Sequence, residues 1–364
     1  MARKLKSDHA LFIATILLVA LSVVMVYSAS APVALTRYGQ ASFFVIRQAL
    51  WVALGLPMLW FLMKLDYHTY REPFFIWCGL GLAVLALVAV LFSPPVHNAR
   101  RWFGIAGIGV QPSEFAKLAA IIFIAAILER RSRHIDDVTY SLVPIGIVVT
   151  VLVGLVLLEP DFGTAMSLIL IAAAMVFAAG LNYRYIFGAP LAALPTVYII
   201  VMGASYRRRR LLAFLDPWDD PLGDGFQIIQ SLIAVGTGGV WGRGLMNGVQ
   251  KLFYLPEPHT DFIYSVISEE LGLIGATAVI LCFSIITWRG MRAALRAPDS
   301  FGAFLAVGLT TMIAVQALVN ISVVLGLMPT KGMPLPFVSA GGSSLLVNLI
   351  GMGILLNVSQ HAHE

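Results

Sequence analysis

The sequence is short of charge and shorter still of cysteine. Only 12% of its 364 residues are charged and 59% are hydrophobic, where an average soluble domain is about half apolar and a quarter charged. That balance excludes an ordinary water-soluble domain. The two cysteines, Cys78 and Cys282, both lie inside apolar runs, which excludes a disulfide scaffold and a cysteine-based zinc centre. Internal repeats and low-complexity tracts are missing. A formal net charge of +5, with its cations set between apolar runs, predicts no nucleic-acid partner.

What the chain does have is apolar runs of the length that crosses a bilayer, about 20 residues each. Hydropathy predicts ten spans, near 11–27, 43–63, 74–92, 113–128, 142–158, 164–181, 185–204, 262–288, 301–327 and 337–358. They must be helices, because hydrocarbon offers backbone groups no water and the alternating pattern of barrel strands is absent. The expected fold is an all-α integral membrane protein, one polytopic domain over 1–364, with a large extracytoplasmic loop at 205–261 between the seventh and eighth spans. Residues 28–31 imitate a signal-peptidase site, but the first apolar run is longer than a signal core and is read as a retained anchor.

Ten spans put both termini on one side. Placing them in the cytoplasm gives twelve Lys and Arg on inner segments against five on short outer loops, as the positive-inside rule demands. The long loop breaks this bias with Arg207 to Arg210, Arg243 and Lys251. Six cations on the wrong side call for an anionic partner, a headgroup or phosphate. The glycine run 236–244 lacks the Gly-Lys-Ser/Thr ending of a phosphate loop, so it reads as a tightly turning re-entrant segment packed against helices.

Several polar elements carry two readings from position alone. Asp261, where the loop meets the eighth span, is a helix cap or a catalytic acid. His259 has no second histidine nearby and reads as a hydrogen-bonding residue. Glu114 and Lys117, three apart on one face, are a mutual pair or part of a polar cavity, since either alone facing lipid would cost roughly 2.5 to 3.5 kcal/mol. Residues 159–164, Glu-Pro-Asp-Phe-Gly-Thr, form a turn by default, and Arg101-Trp102 is a belt anchor or a headgroup contact. The stretch 334–344, with Pro334, Pro336, Gly341, Gly342 and Ser343, is poor helix aimed at close packing or a cavity.

Taken together in order, residues 25–30, Arg101-Trp102, 111–117, 159–164, 236–245, 256–262 and 334–344 resemble the SEDS family (shape, elongation, division and sporulation) over nearly the whole chain. Residues 328–332, Met-Pro-Thr-Lys-Gly, and the Tyr27-Ser28-Ala29-Ser30 ending of the first span look like the division branch, with sporulation members close to it. Ala340 departs from the family pattern, which usually has tyrosine there.

The resemblance implies a ten-span peptidoglycan glycosyltransferase that polymerises lipid II, an undecaprenyl-pyrophosphate-linked disaccharide-pentapeptide, outside the cytoplasmic (inner) membrane. It implies a class B penicillin-binding protein as partner, divisome regulatory proteins around it, and a place at the division septum. Asp261 matches the family's loop aspartate and is expected to be the base in an inverting transfer. The expected substrate contacts are Arg101, Trp102, Glu114, Lys117, Arg207, Arg210, Arg243, His259, Lys331 and Ser343. A divalent cation, Mg or Mn, is an alternative source of charge for the departing pyrophosphate. The alternative functions are a lipid II flippase, an elongation-type polymerase of the same family, and a scaffold that recruits the transpeptidase.

Overall fold

Apolar runs without water must close their own backbone hydrogen bonds, and the chain does so as a helical bundle. A computed structural model describes residues 7–94, 99–105, 108–131, 137–182 and 205–362, with isolated positions between 184 and 203. Its helices are α1 His9–Tyr38, α2 Phe43–Lys64, α3 Pro73–Val90, α4 Pro112–Arg131, α5 Val143–Leu158, α6 Phe162–Ala178, α7 Ser205–Leu215, α8 Phe226–Gly238, α9 Ile263–Leu295, α10 Ser300–Val324 and α11 Gly342–His361. A two-stranded antiparallel hairpin, β1 Phe103–Ile105 and β2 Ile108–Val110, precedes α4.

Seven helical segments among the described residues are long and apolar enough to cross a membrane. The α4 helix has the length but carries too many charges, Glu114, Lys117, Glu129, Arg130 and Arg131; it is covered by its neighbours instead. The α6 helix, 17 residues, is apolar but shorter. The predicted span 185–204 lies largely outside the described residues.

Three boundaries differ from the hydropathy reading. The first helix runs on past Pro32 to Tyr38 and stops at Gly39, whose φ of 71° ends it in the left-handed region; Ala29, Ala31 and Ala34 are good helix formers whose modest hydropathy does not mark a span. The loop 205–261 contains helices α7 and α8, the second amphipathic and half buried. The last helix starts at Gly342 rather than residue 337, and residues 333–339 are mostly buried without helical structure.

Packing places α10 at the centre, against α4, α6, α9 and α11, while α11 lies along α2. The two last helices are mostly buried, whereas α2 and α3 expose residues such as Trp60, Phe61, Trp77 and Leu82 to the surrounding phase. Close approach of α11 to α2 rests on Gly353, where any Cβ would stand 2.8 Å from the Leu59 carbonyl.

The helix α9 is broken at Gly272, with φ 66° and ψ −163°, a region open essentially to glycine alone. The glycine-rich turn 239–244 repairs the break. Arg243 N donates to Glu269 O at 3.0 Å and Gly244 N to Glu270 O at 3.0 Å, while Leu273 N donates to Gly239 O at 2.9 Å. Side chains reinforce the joint: Glu270 takes Lys251 at 2.6 Å, Ser28 at 2.7 Å and the Met246 amide at 3.0 Å, and Glu269 takes the Val249 amide at 2.8 Å.

A Gly272→Ala substitution should therefore lower stability by about 2 kcal/mol or more, because its Cβ would press on Gly242 and Val240 backbone. The measurement is the thermal midpoint in detergent, with Gly146→Ala, a position with open space around it, expected to leave the midpoint unchanged.

Candidate active site

The site grows from a stretch of backbone that is not helical. Between α10 and α11 the chain runs extended, and its carbonyls are taken up by amides from α10. Asn320 Nδ2 donates both to Met333 O at 2.7 Å and to Asp261 O at 2.8 Å. Gln316 Nε2 donates to Pro334 O at 2.9 Å. The loop before α9 is laced to the same stretch, since Ser339 Oγ donates to Thr260 O at 2.6 Å and Ala340 N to His259 O at 2.9 Å. Residues 259–261 are thus each held through the backbone carbonyl, which leaves the Asp261 carboxylate uncommitted.

That carboxylate does not cap α9. Phe262 holds the N-cap position with no side-chain cap bond, and no hydrogen bond to the Asp261 carboxylate oxygens occurs among the described residues. It faces a cavity of about 120 Å³ lined by Arg210, Gln227, Pro256, Glu257, Asp261, Phe262, Thr330, Lys331 and Gly332. Gly332 makes room, because a Cβ there would stand 3.0 Å from Asp261 Oδ2.

Electrostatics in the cavity are mixed. Burial pushes the Asp261 carboxyl up to about 7, helped by the like charges of Glu257 and Asp161 and opposed by Arg101 and Arg210. A carboxylate that titrates near neutrality can take a proton and release it again, as a general base must. Arg210 donates to Thr330 O at 3.3 Å. Lys331 has Met166 Sδ at 3.3 Å and no carboxylate partner among the described residues, and burial lowers the pKa of its ammonium.

The remaining sequence candidates are distributed more widely. Arg101 turns toward the α5–α6 turn, donating to Glu159 O at 3.0 Å and to Pro160 O, close enough to Asp261 to act on its charge. Trp102 packs over Gly109 of the hairpin. Glu114 and Lys117 form a buried ion pair of 2.9 Å, with Lys117 also donating to Gln316 at 3.1 Å; they support the wall behind the site and do not line the cavity. Arg243 stands 3.8 Å from Glu269 and serves the α9 joint. Ser343 accepts the Gln111 amide at 3.2 Å. The His259 ring is buried against Phe44, 4.4 Å between centroids, which lowers its pKa. The Arg207 side chain lies outside the described residues.

So the structure brings Asp261, Arg210 and Lys331 together at the cavity and assigns the other described candidates to its scaffold or elsewhere. Glu257, Gln227 and Thr330 complete the lining and were not singled out from sequence. Glu257 and Thr330 fall in segments whose motifs were legible, 256–262 and 328–332; Gln227 carries no signal of its own. Among the described residues no group of three or more His, Cys, Asp or Glu could hold a metal ion, and Asp261 and Glu257 are the carboxylates the cavity offers a cation.

Behind the cavity, Glu159 is fully buried and neither carboxylate oxygen finds a partner among the described residues. Burial, with Asp161 beside it, pushes its carboxyl from 4.5 up to about 8. The folded state therefore holds this proton more tightly than the unfolded chain, so stability falls as pH rises from about 4.5 to about 8. Glu159→Gln should raise the thermal midpoint by a few degrees above pH 8 and leave it unchanged below pH 4.5, as differential scanning fluorimetry across pH will show.

Comparison with known proteins agrees with this geometry. The family model of FtsW, RodA and SpoVE, described as cell cycle protein, matches residues 8–364. The chain is 43% identical over 359 residues to the probable peptidoglycan glycosyltransferase FtsW of Geobacter sulfurreducens, covering 97% of this chain and 95% of that protein. It is also 43% identical to the stage V sporulation protein E of Bacillus subtilis, covering 99% of each. Among solved structures, a chain from a study of structural coordination of polymerization and crosslinking by a peptidoglycan synthase complex superposes with a TM-score of 0.80 at 30% identity over 99% of both chains. The rod shape determining protein RodA of Thermus thermophilus superposes with a TM-score of 0.71 at 27% identity, again over 99% of both. With the match running through every span and through the Asp261 loop, the chain belongs to the FtsW/RodA/SpoVE family of cell cycle proteins.

Proposed function

We propose that this protein is a peptidoglycan glycosyltransferase that polymerises lipid II at the cavity around Asp261. The carrying observation is the Asp261 carboxylate itself: uncapped, without a hydrogen bond, titrating near neutrality and facing a cavity shared with Arg210 and Lys331. In the reaction the acceptor sugar's 4-hydroxyl oxygen attacks the donor's anomeric carbon and its proton passes to Asp261. The bond from that carbon to the pyrophosphate breaks, and undecaprenyl pyrophosphate leaves with the electron pair. Attack opposite to the leaving group inverts the configuration, for which one carboxylate acting as base suffices. Pyrophosphate needs charge stabilisation more than a proton, and Arg210 and Lys331 supply it.

Relatives named peptidoglycan glycosyltransferase support the reaction class, and the solved synthase complex supports a transpeptidase partner of the class B penicillin-binding type. Equal identity to an FtsW and to a sporulation protein leaves the choice of process to the 328–332 motif, which favours division and a septal location beside divisome regulators. The cation count favours both termini in the cytoplasm. Among the described residues no feature favours a flippase: Glu114 and Lys117, which a transport path would use with other polar groups, are closed on each other inside the bundle.

Purified Asp261→Asn should lose polymerisation of lipid II by about 10²- to 10⁴-fold while keeping its thermal midpoint; glycan chains of ordinary length from this variant would refute the base assignment. The base works ionised, so kcat/KM for lipid II should rise about tenfold per pH unit below about 7 and level off above it. A profile flat from pH 5 to 8 would remove Asp261 from the proton transfer.

A further inference from the structure

The end of the bundle opposite the cavity carries a second concentration of charge. There the start of α1 and the ends of α9 and α11 meet around a small crevice lined by Asp8, Arg289, Arg292, Ala293, Arg296, Ser359 and Ala362. Asp8 is committed twice over. Its Oδ1 caps α1, accepting from Ala10 N at 3.1 Å and Leu11 N at 3.2 Å, and its Oδ2 takes the Arg289 guanidinium at 2.6 Å. Arg292 and Arg296 have no acidic partner among the described residues, although both line the crevice.

The charge does not balance. Two helix C-terminal ends contribute roughly half a negative charge each and one N-terminal end roughly half a positive charge. With one carboxylate against three guanidinium groups among the described residues, roughly one and a half positive charges remain, of which a phosphate diester would neutralise one. Ser359 is buried at its base and donates its hydroxyl to Leu356 O at 2.7 Å.

A second stripe says what kind of phosphate. Trp288, Met291 and Leu295 follow the same spacing as Arg289, Arg292 and Arg296, one residue earlier on α9. They are exposed, Leu295 by 85% and Trp288 by 65%. Apolar and cationic stripes therefore run side by side to the end of a membrane-spanning helix, the arrangement that holds acyl chains beside a headgroup.

We propose that this crevice is a binding site for an anionic glycerophospholipid, with its phosphate on Arg292 and Arg296 and its chains along Trp288, Met291 and Leu295. Arg289 is held by Asp8 and orders the crevice. The site lies on the far side of the bundle from Asp261 and takes no part in glycosyl transfer.

Native mass spectrometry of the full chain in neutral detergent tests this with phosphatidylglycerol, phosphatidylcholine and inorganic phosphate as probes. Phosphatidylglycerol should bind at least tenfold more tightly than phosphatidylcholine. The double variant Arg292→Gln/Arg296→Gln should erase that preference, and Arg292→Lys/Arg296→Lys should keep a part of it. Polymerisation of lipid II in detergent and the thermal midpoint without lipid should be unchanged in both. Equal binding of the two lipids, or an undiminished preference in the Gln double variant, overturns the proposal. Competition by inorganic phosphate at the lipid's own concentration would overturn the lipid assignment in favour of a free-phosphate site.

Discussion

The site depends on how a membrane protein can keep a stretch of chain unwound. Between α10 and α11 the backbone forgoes helical hydrogen bonds while mostly buried, and each carbonyl left over would cost several kcal/mol without a partner. Asn320 resolves two of these at once, its single amide bridging Met333 O and Asp261 O. Because it has two N–H groups and spends both on backbone, it locks the two segments that frame the cavity to the same turn of α10. The Asp261 carboxylate is placed without being touched, which leaves it free to face the cavity.

Behind this tie stands a layer of buried polar side chains whose value is positional. Gln316 joins Pro334 O and Ser344 to Lys117, and Lys117 to Glu114. Gln111 connects Ser113, Asp161 and Ser343. A buried ion pair contributes little net stability against a well-packed apolar alternative, but losing one partner is costly. Such a layer makes the site rigid and intolerant of partial change, a fitting property for a wall behind reacting atoms.

Much of this was legible in the chain. Nine of the ten hydropathy spans correspond to described helices, and Asp261 announced itself by motif and by its place at a span's edge. The roles of the cations were not legible. Arg243 and Lys251 read as anion contacts because they sit on the side that should lack positive charge, yet their partners Glu269 and Glu270 lie further along the chain, hidden in an apolar run. Hydropathy cannot show that a helix is broken at Gly272 and that a glycine turn fills the gap. Nor could spacing reveal Asn320, a lone amide in an apolar helix whose partners come from two other segments.

The break at Gly272 has a mechanical meaning. The ten residues from Ile263 to Gly272 are joined to the turn 239–244 across both lips of the fracture, so neither piece can part from the other without stranding peptide groups. The turn 239–244 and the upper segment of α9 are therefore one continuous piece, and Asp261 stands at its end. A contact made on that turn bears on the same piece of structure that carries the acid.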